Sequence, residues 1–262
     1  MSVIAPSQIT ELVIEAGVKK AHLPTRATLI LGFLAGAFIS LGFLLAIHVS
    51  TMIPAQWASF GNLLGAAVFP IGLILVILAG GELLTGNMMS LPLAMFARRI
   101  GLGAVARNWL LVTFANLMGA LFVAWCFGHL LGLTEGPYLG KILAAATSKA
   151  SADFVHAFVS GIGCNWLVCL AVWLSYASRE MSGKILGIWF PIMAFVAIGF
   201  QHVVANMFLL PAAIFAGYLD WAQVAHNLLA VFLGNAVGGA IFVGLAYYVS
   251  YGEPAAKQQA VQ

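Results

Sequence analysis

The chain has 262 residues, of which 63% are hydrophobic and only 7% are charged. Soluble domains carry roughly 25% charged residues, so this composition excludes a water-covered globule of this size and requires lipid around the chain. The net charge of +3 does not indicate a nucleic-acid partner, because the basic residues sit in short stretches between apolar runs, as membrane orientation places them.

Backbone groups in lipid must be satisfied within the chain, and the apolar runs show no period-2 alternation, which predicts helices rather than a barrel. Residues 7–23 are amphipathic, with Ile9, Leu12, Val13 and Ala16 on one face and Glu11, Glu15 and Lys19 elsewhere. They predict a helix on the membrane surface, ended by Pro24. No cleavable leader is expected, since this region lacks an apolar core before a small-residue site. Span 1 is predicted over about 28–49. The next apolar region, about 61–95, is too long for one straight span and is interrupted by Pro70 and by GGELLTGN at 80–87. Span 3 follows at about 108–132, a long loop at 133–153, and span 4 at about 154–177. A fifth region, about 185–216, is again over-long and is interrupted by GFQHVVAN at 199–206. Span 6 covers about 225–250, and a polar tail, 251–262, closes the chain. Lys19, Lys20, Arg26, Arg98, Arg99, Arg107, Arg179, Lys184 and Lys257 fall on one side, and only Lys141 and Lys149 on the other. Both termini are therefore expected in the cytoplasm.

The two interruptions are related. A shift of 119 positions carries Gly80, Glu82, Asn87, Met88 and Pro92 onto Gly199, Gln201, Asn206, Met207 and Pro211. The same shift carries Asn108, Asn116 and Gly119 onto Asn227, Asn235 and Gly238, whereas spans 1 and 4 give little sign of it. With three spans per half, 28–132 and 154–250, the second half enters from the opposite side. This is an inverted repeat within one transmembrane domain, and matching broken helices point to a transport path. Two kinked packing helices with glycine at close crossings are the alternative.

His202 lies inside the second break, and ionisable groups at that depth are costly. An imidazole titrates near neutrality and can donate or accept a proton. Thr85, in the partner break, can hydrogen-bond it if the breaks meet. Glu82 is expected to cap freed N–H groups or to pair within the protein. Lys149, before span 4 on the outer side, can draw anions to a pore mouth or serve as a solvated loop lysine. Cys126, Cys164 and Cys169 read as small apolar core residues. The remaining histidines lie near span ends, and no metal-ligand spacing, P-loop or dinucleotide turn occurs, so no metal or cofactor is expected. The polar groups are too few at one depth for a membrane enzyme. A neutral-solute pore of the water or glycerol kind suits the repeat, but neither break contains Asn-Pro-Ala.

At these residues the sequence resembles the formate/nitrite transporter family. The carrying segments are GGELLTGN (80–87), GCNWLVCLAVW (163–173) and GFQHVVANMF (199–208), and the likeness covers about residues 10–250. It implies an all-α integral membrane fold of six helices in an aquaporin-like inverted 3+3 repeat with spans 2 and 5 broken. It also implies a homopentamer in the cell membrane, with one pore per protomer and no enzymatic activity. The implied substrates are small monovalent anions of weak acids, formate foremost, with nitrite, hydrosulfide or short carboxylates as alternatives, moving with protons. His202 matches the family's central pore histidine, Thr85 the threonine that bonds it, and Asn165 a nearby asparagine of span 4. Lys149 matches the vestibule lysine, and Phe69, Leu73, Leu83, Leu84 and Phe195 match the apolar constriction. Gly80, Glu82, Asn87, Gln201 and Asn206 form the broken-helix motif, in which Gln201 stands where many members have Glu.

Overall fold

A computed structural model describes residues 3–252, so the tail at 253–262, with Lys257, lies outside the described residues. The helices, in chain order, are α1 (Pro6–Ala21), α2 (Thr25–Thr51), α3 (Ala58–Val68), α4 (Ile71–Leu75), α5 (Leu84–Phe96) and α6 (Leu102–Phe122). The second half adds α7 (Leu139–Ala150), α8 (Phe154–Tyr176), α9 (Met181–Ile198), α10 (Val203–Phe215), α11 (Trp221–Gly239) and α12 (Ala246–Tyr251). Wide π turns at Val76–Gly80 and Val123–Leu130 extend α4 and α6, and one at Ala240–Leu245 joins α11 to α12.

Among the described residues, six helical stretches are long and apolar enough to cross a membrane: Thr25–Thr51, Ala58–Gly80, Leu102–Leu130, Phe154–Tyr176, Met181–Ile198 and Trp221–Tyr251. The second and fifth each end in a break and continue as a 13-residue half-helix, α5 or α10. Gly80 and Gly199 stop the incoming helices at φ of +100° and +89°, a left-handed conformation that penalises any Cβ. Non-helical backbone survives inside a membrane bundle only where protein satisfies it. Two asparagines do this. Asn116 on α6 accepts from the Leu84 N–H at 3.0 Å and donates to the Gly32 and Glu82 carbonyls at 2.8 and 2.9 Å. Asn235 on α11 accepts from the Val203 N–H at 2.9 Å and donates to the Gly161 and Gln201 carbonyls at 2.8 and 3.1 Å. Each asparagine starts one half-helix and ties its break to two neighbouring helices.

These contacts also show why the outer spans hide the repeat. Gly32 and Gly161 play equivalent parts yet lie 129 positions apart, not 119. At that offset α2 matches α8, and α1 matches α7. The segment expected as a loop over 133–153 therefore contains a helix, because Ile142 and Ala146 bury a face against α10. Likewise α1 packs against α5, where a Cβ on Gly17 would collide with the Ser90 carbonyl. Bare backbone also sets the main crossings. Gly36 and Gly119 bring α2 onto α6, and Gly234 and Gly238 bring α8 onto α11, each facing a carbonyl of the opposite helix.

Candidate functional site

His202 is the residue immediately before α10, and its Nδ1 accepts the Ala205 N–H at 3.1 Å. An imidazole nitrogen that accepts a hydrogen bond carries no proton, so the neutral ring carries its proton on Nε2. Nε2 lies 2.8 Å from Thr85 Oγ1 and therefore donates to it. A second proton, on Nδ1, would displace the bond that caps α10. Thr85 is the second residue of α5, so this contact is where the first turns of the two half-helices meet. Their N-terminal dipole ends favour negative charge there.

Span 4 holds the junction in place. Asn165 Nδ2 donates to the Thr85 carbonyl at 3.1 Å and to the Asn235 carbonyl at 2.7 Å. Cys169 Sγ donates to the same Thr85 carbonyl at 3.4 Å, so this thiol is part of the support. Thr85, Asn165 and His202 are all buried.

The surroundings are apolar. His202 opens on a small cavity walled by Phe69, Leu73, Leu83 and Phe195 among others. Phe195 stacks toward the imidazole with centroids 5.9 Å apart, and Phe69 meets Phe195 edge-on at 5.7 Å. A second, somewhat larger cavity is lined by Lys20, Asn87, Ser90 and Tyr176 among others. Leu73 and Leu83 belong to both walls and so form the partition between the cavities. Leu84 lines neither cavity: it is fully buried, and its N–H is the one that Asn116 holds.

Polar networks flank the junction. In the first half Glu82 accepts from Lys20 Nζ at 2.7 Å and from Asn87 Nδ2 at 2.8 Å, and Asn87 also donates to Asn108 Oδ1 at 2.9 Å. In the second half Gln201 Oε1 accepts from Asn206 at 3.0 Å and from Asn227 at 2.9 Å, and Asn206 donates to Asn227 Oδ1 at 2.9 Å. Asn87 Oδ1 and Asn206 Oδ1 are buried without hydrogen-bond partners among the described residues, one in each half. Lys149, at the end of α7, is half-buried, and loss of hydration lowers its ammonium from the usual lysine range to about 8, opposed by the Cys164 thiol on α8. Gly80 takes part only through its backbone.

Lys20, Asn108, Asn116, Asn227 and Asn235 are structural participants to which sequence reasoning gave no role. The asparagines carried a signal, their recurrence at 119 positions, whereas Lys20 needed the second offset of 129 that pairs it with Lys149. Among the described residues, no group of three His, Cys, Asp or Glu could hold a metal ion.

Comparison with known proteins agrees with this architecture. The family model described as formate/nitrite transporter matches residues 7–249. The chain is 60% identical over 246 residues to the formate channel BtFdhC of Bacillus thuringiensis, covering 94% of this chain and 95% of that one. Among solved structures, one described as an FNT family ion channel superposes with a TM-score of 0.86 at 31% identity, over 93% of this chain and 98% of that chain. Another, described as a pentameric formate channel with formate bound, gives a TM-score of 0.76 at 30% identity, over 90% and 99%. With six membrane-length apolar helices and a match over nearly its whole length, this multi-pass membrane protein belongs to the formate/nitrite transporter family.

Proposed function

We propose that the protein is a homopentameric membrane channel for small monovalent anions of weak acids, formate first, moved with a proton past His202 in each protomer. The reading draws on the similar proteins described as formate channels and on the pentameric relative with formate bound. The observation that carries it is the His202–Thr85 contact, one polar point at an otherwise apolar junction. The basic residues support cytoplasmic termini, with Lys149 outside. Halves at 28–132 and 154–250, extended by α1 and α7, make one transport unit.

A bare anion meets a steep desolvation barrier at Phe69, Leu73, Leu83 and Phe195, whereas a neutral acid does not. Lys149 draws the anion in, and the two half-helix N-termini favour it at the junction. The anion's own proton affinity rises as water is lost, so it takes a proton from water. Because Nδ1 serves the cap, the neutral imidazole keeps its one proton on Nε2, bonded to Thr85, and serves the path as an orienting and hydrogen-bonding group at the junction. The neutral acid crosses the Leu73–Leu83 partition and ionises in the cavity lined by Lys20. Net direction follows the substrate and proton gradients.

The test is formate uptake into proteoliposomes across pH, for the wild type and for His202→Asn, which can still cap α10. A slower rate and an altered pH profile are expected; an unchanged rate and profile would remove His202 from the mechanism. Nitrite and hydrosulfide competing in the same vesicles rank the alternative anions, and shrinkage in glycerol tests a neutral-solute pore.

A further inference from the structure

The two mouths of the path are built to one plan and differ in the group that stands beside the lysine. On the inner side the Lys20 carbonyl accepts from Asn108 Nδ2 at 3.3 Å; on the outer side the Lys149 carbonyl accepts from Asn227 Nδ2 at 2.8 Å. Asn108 and Asn227 are repeat equivalents, and each receives the side chain of the matching asparagine, Asn87 or Asn206. Lys20 and Lys149 therefore hold corresponding posts. Beside Lys20 stands Glu82, and the two form an ion pair of 2.7 Å whose carboxylate is 8% exposed. At the position equivalent to Glu82 stands Gln201, whose Oε1 is occupied by two asparagine amides. Among the described residues Lys149 forms no ion pair.

We propose that the amide at Gln201, against the carboxylate at Glu82, makes anion capture unequal across the membrane: the Lys149 mouth offers an uncompensated cation to a small carboxylate, and the Lys20 mouth offers an ion pair that is already neutral. A partly desolvated ammonium attracts an anion more strongly than one already paired. Gln201 is thus a positioning residue that keeps Lys149 free, and Glu82 is its opposite on the inner side. The inference rests on the anion-channel reading.

The experiment is zero-trans formate flux at equal pH in oriented vesicles of the full-length protein. Sidedness is set by protease access to a C-terminal tag, because α12 packs beside α1 on the Lys20 side. The half-saturation concentration should be roughly threefold to tenfold lower from the Lys149 side. Gln201→Glu should raise it by a similar factor from that side alone, with the maximal rate from that side rising in proportion, because passive flux at equal pH keeps the ratio of the two the same in both directions. A variant that merely disturbs folding would not act from one side only. Glu82→Gln, which frees Lys20, should lower the half-saturation concentration from the Lys20 side. Equal wild-type constants from both sides, or a Gln201→Glu variant with an unchanged constant on the Lys149 side, would overturn the inference. Absence of formate flux in the wild type would instead overturn the channel reading beneath it.

Discussion

Thr85 and His202 are separated by 117 residues in the chain, and their side chains meet at 2.8 Å. The bond joins the first turn of α5 to the residue that caps α10, so it fixes both the ring's orientation and the spacing of the half-helices. Thr85→Val, close to isosteric, removes the oxygen and leaves Nε2–H unpaired in a buried site, at about 1–3 kcal/mol. Formate uptake by this variant should fall about tenfold or more, while Thr85→Ser should retain most of the rate. Wild-type uptake by the valine variant in proteoliposomes would show that the hydroxyl has no part in transport.

Asn235 is the pin of the second break. Asn235→Leu strands the Val203 N–H and the Gly161 and Gln201 carbonyls at once. At about 1–3 kcal/mol for each unpaired buried group, the variant should melt far below the wild type or fail to assemble. Asn235→Asp keeps the acceptor for Val203 and should fall between them. Thermal denaturation in detergent, followed by size-exclusion chromatography, provides the ranking, and a leucine variant as stable as the wild type would refute the pin.

The ammonium of Lys149 titrates at about 8, lowered by burial, so it is charged at neutral pH and loses its charge as pH rises through 8. Raising pH from 7 to 9 on that side should weaken formate capture from it. The same change also reduces the supply of protons, so the decisive comparison is with Lys149→Arg, whose guanidinium stays charged. The wild-type half-saturation concentration should rise roughly threefold more than that of the arginine variant. Parallel curves for the two proteins would place the titration elsewhere.

Arg98 ends α5 at φ of +57°, a conformation that costs a non-glycine residue about 1 kcal/mol, and the equivalent residue after α10 is Gly217 at +86°. Arg98→Gly should therefore raise the stability by about 1 kcal/mol, read as a higher melting temperature in detergent. A lower melting temperature would mean that the arginine side chain contributes more than its backbone costs.

Much of this architecture is legible in the sequence because lipid imposes simple rules. Apolar runs of fixed length give the spans, and the excess length of two of them gives the breaks. The shared offset of Glu82 with Gln201 and of Asn116 with Asn235 gives the inverted repeat of the inner elements. His202 and Thr85 stand out because polar groups are rare in such runs. What remained hidden was set by packing across long separations. The kinship of α1 with α7 was lost because ten more residues separate span 1 from its break than separate span 4 from its own. Lys149 drew notice as the cation of a loop, yet Leu139, Ile142, Leu143 and Ala146 stand at helical spacing, so the helix of that stretch was legible by period and was masked by the Gly136, Pro137 and Gly140 around its start. The partner of Lys20 is invisible along the chain, since Glu82 lies 62 positions away.

The two asparagine pins carry a mechanical consequence. A half-helix free to swing would make a backbone door, but each break here is fastened to α6 or α11 on one side and to α2 or α8 on the other. On the channel reading, these bonds hold the backbone at the centre, and admitting a solute falls to the side chains that wall the apolar cavity, Leu73, Leu83 and Phe195.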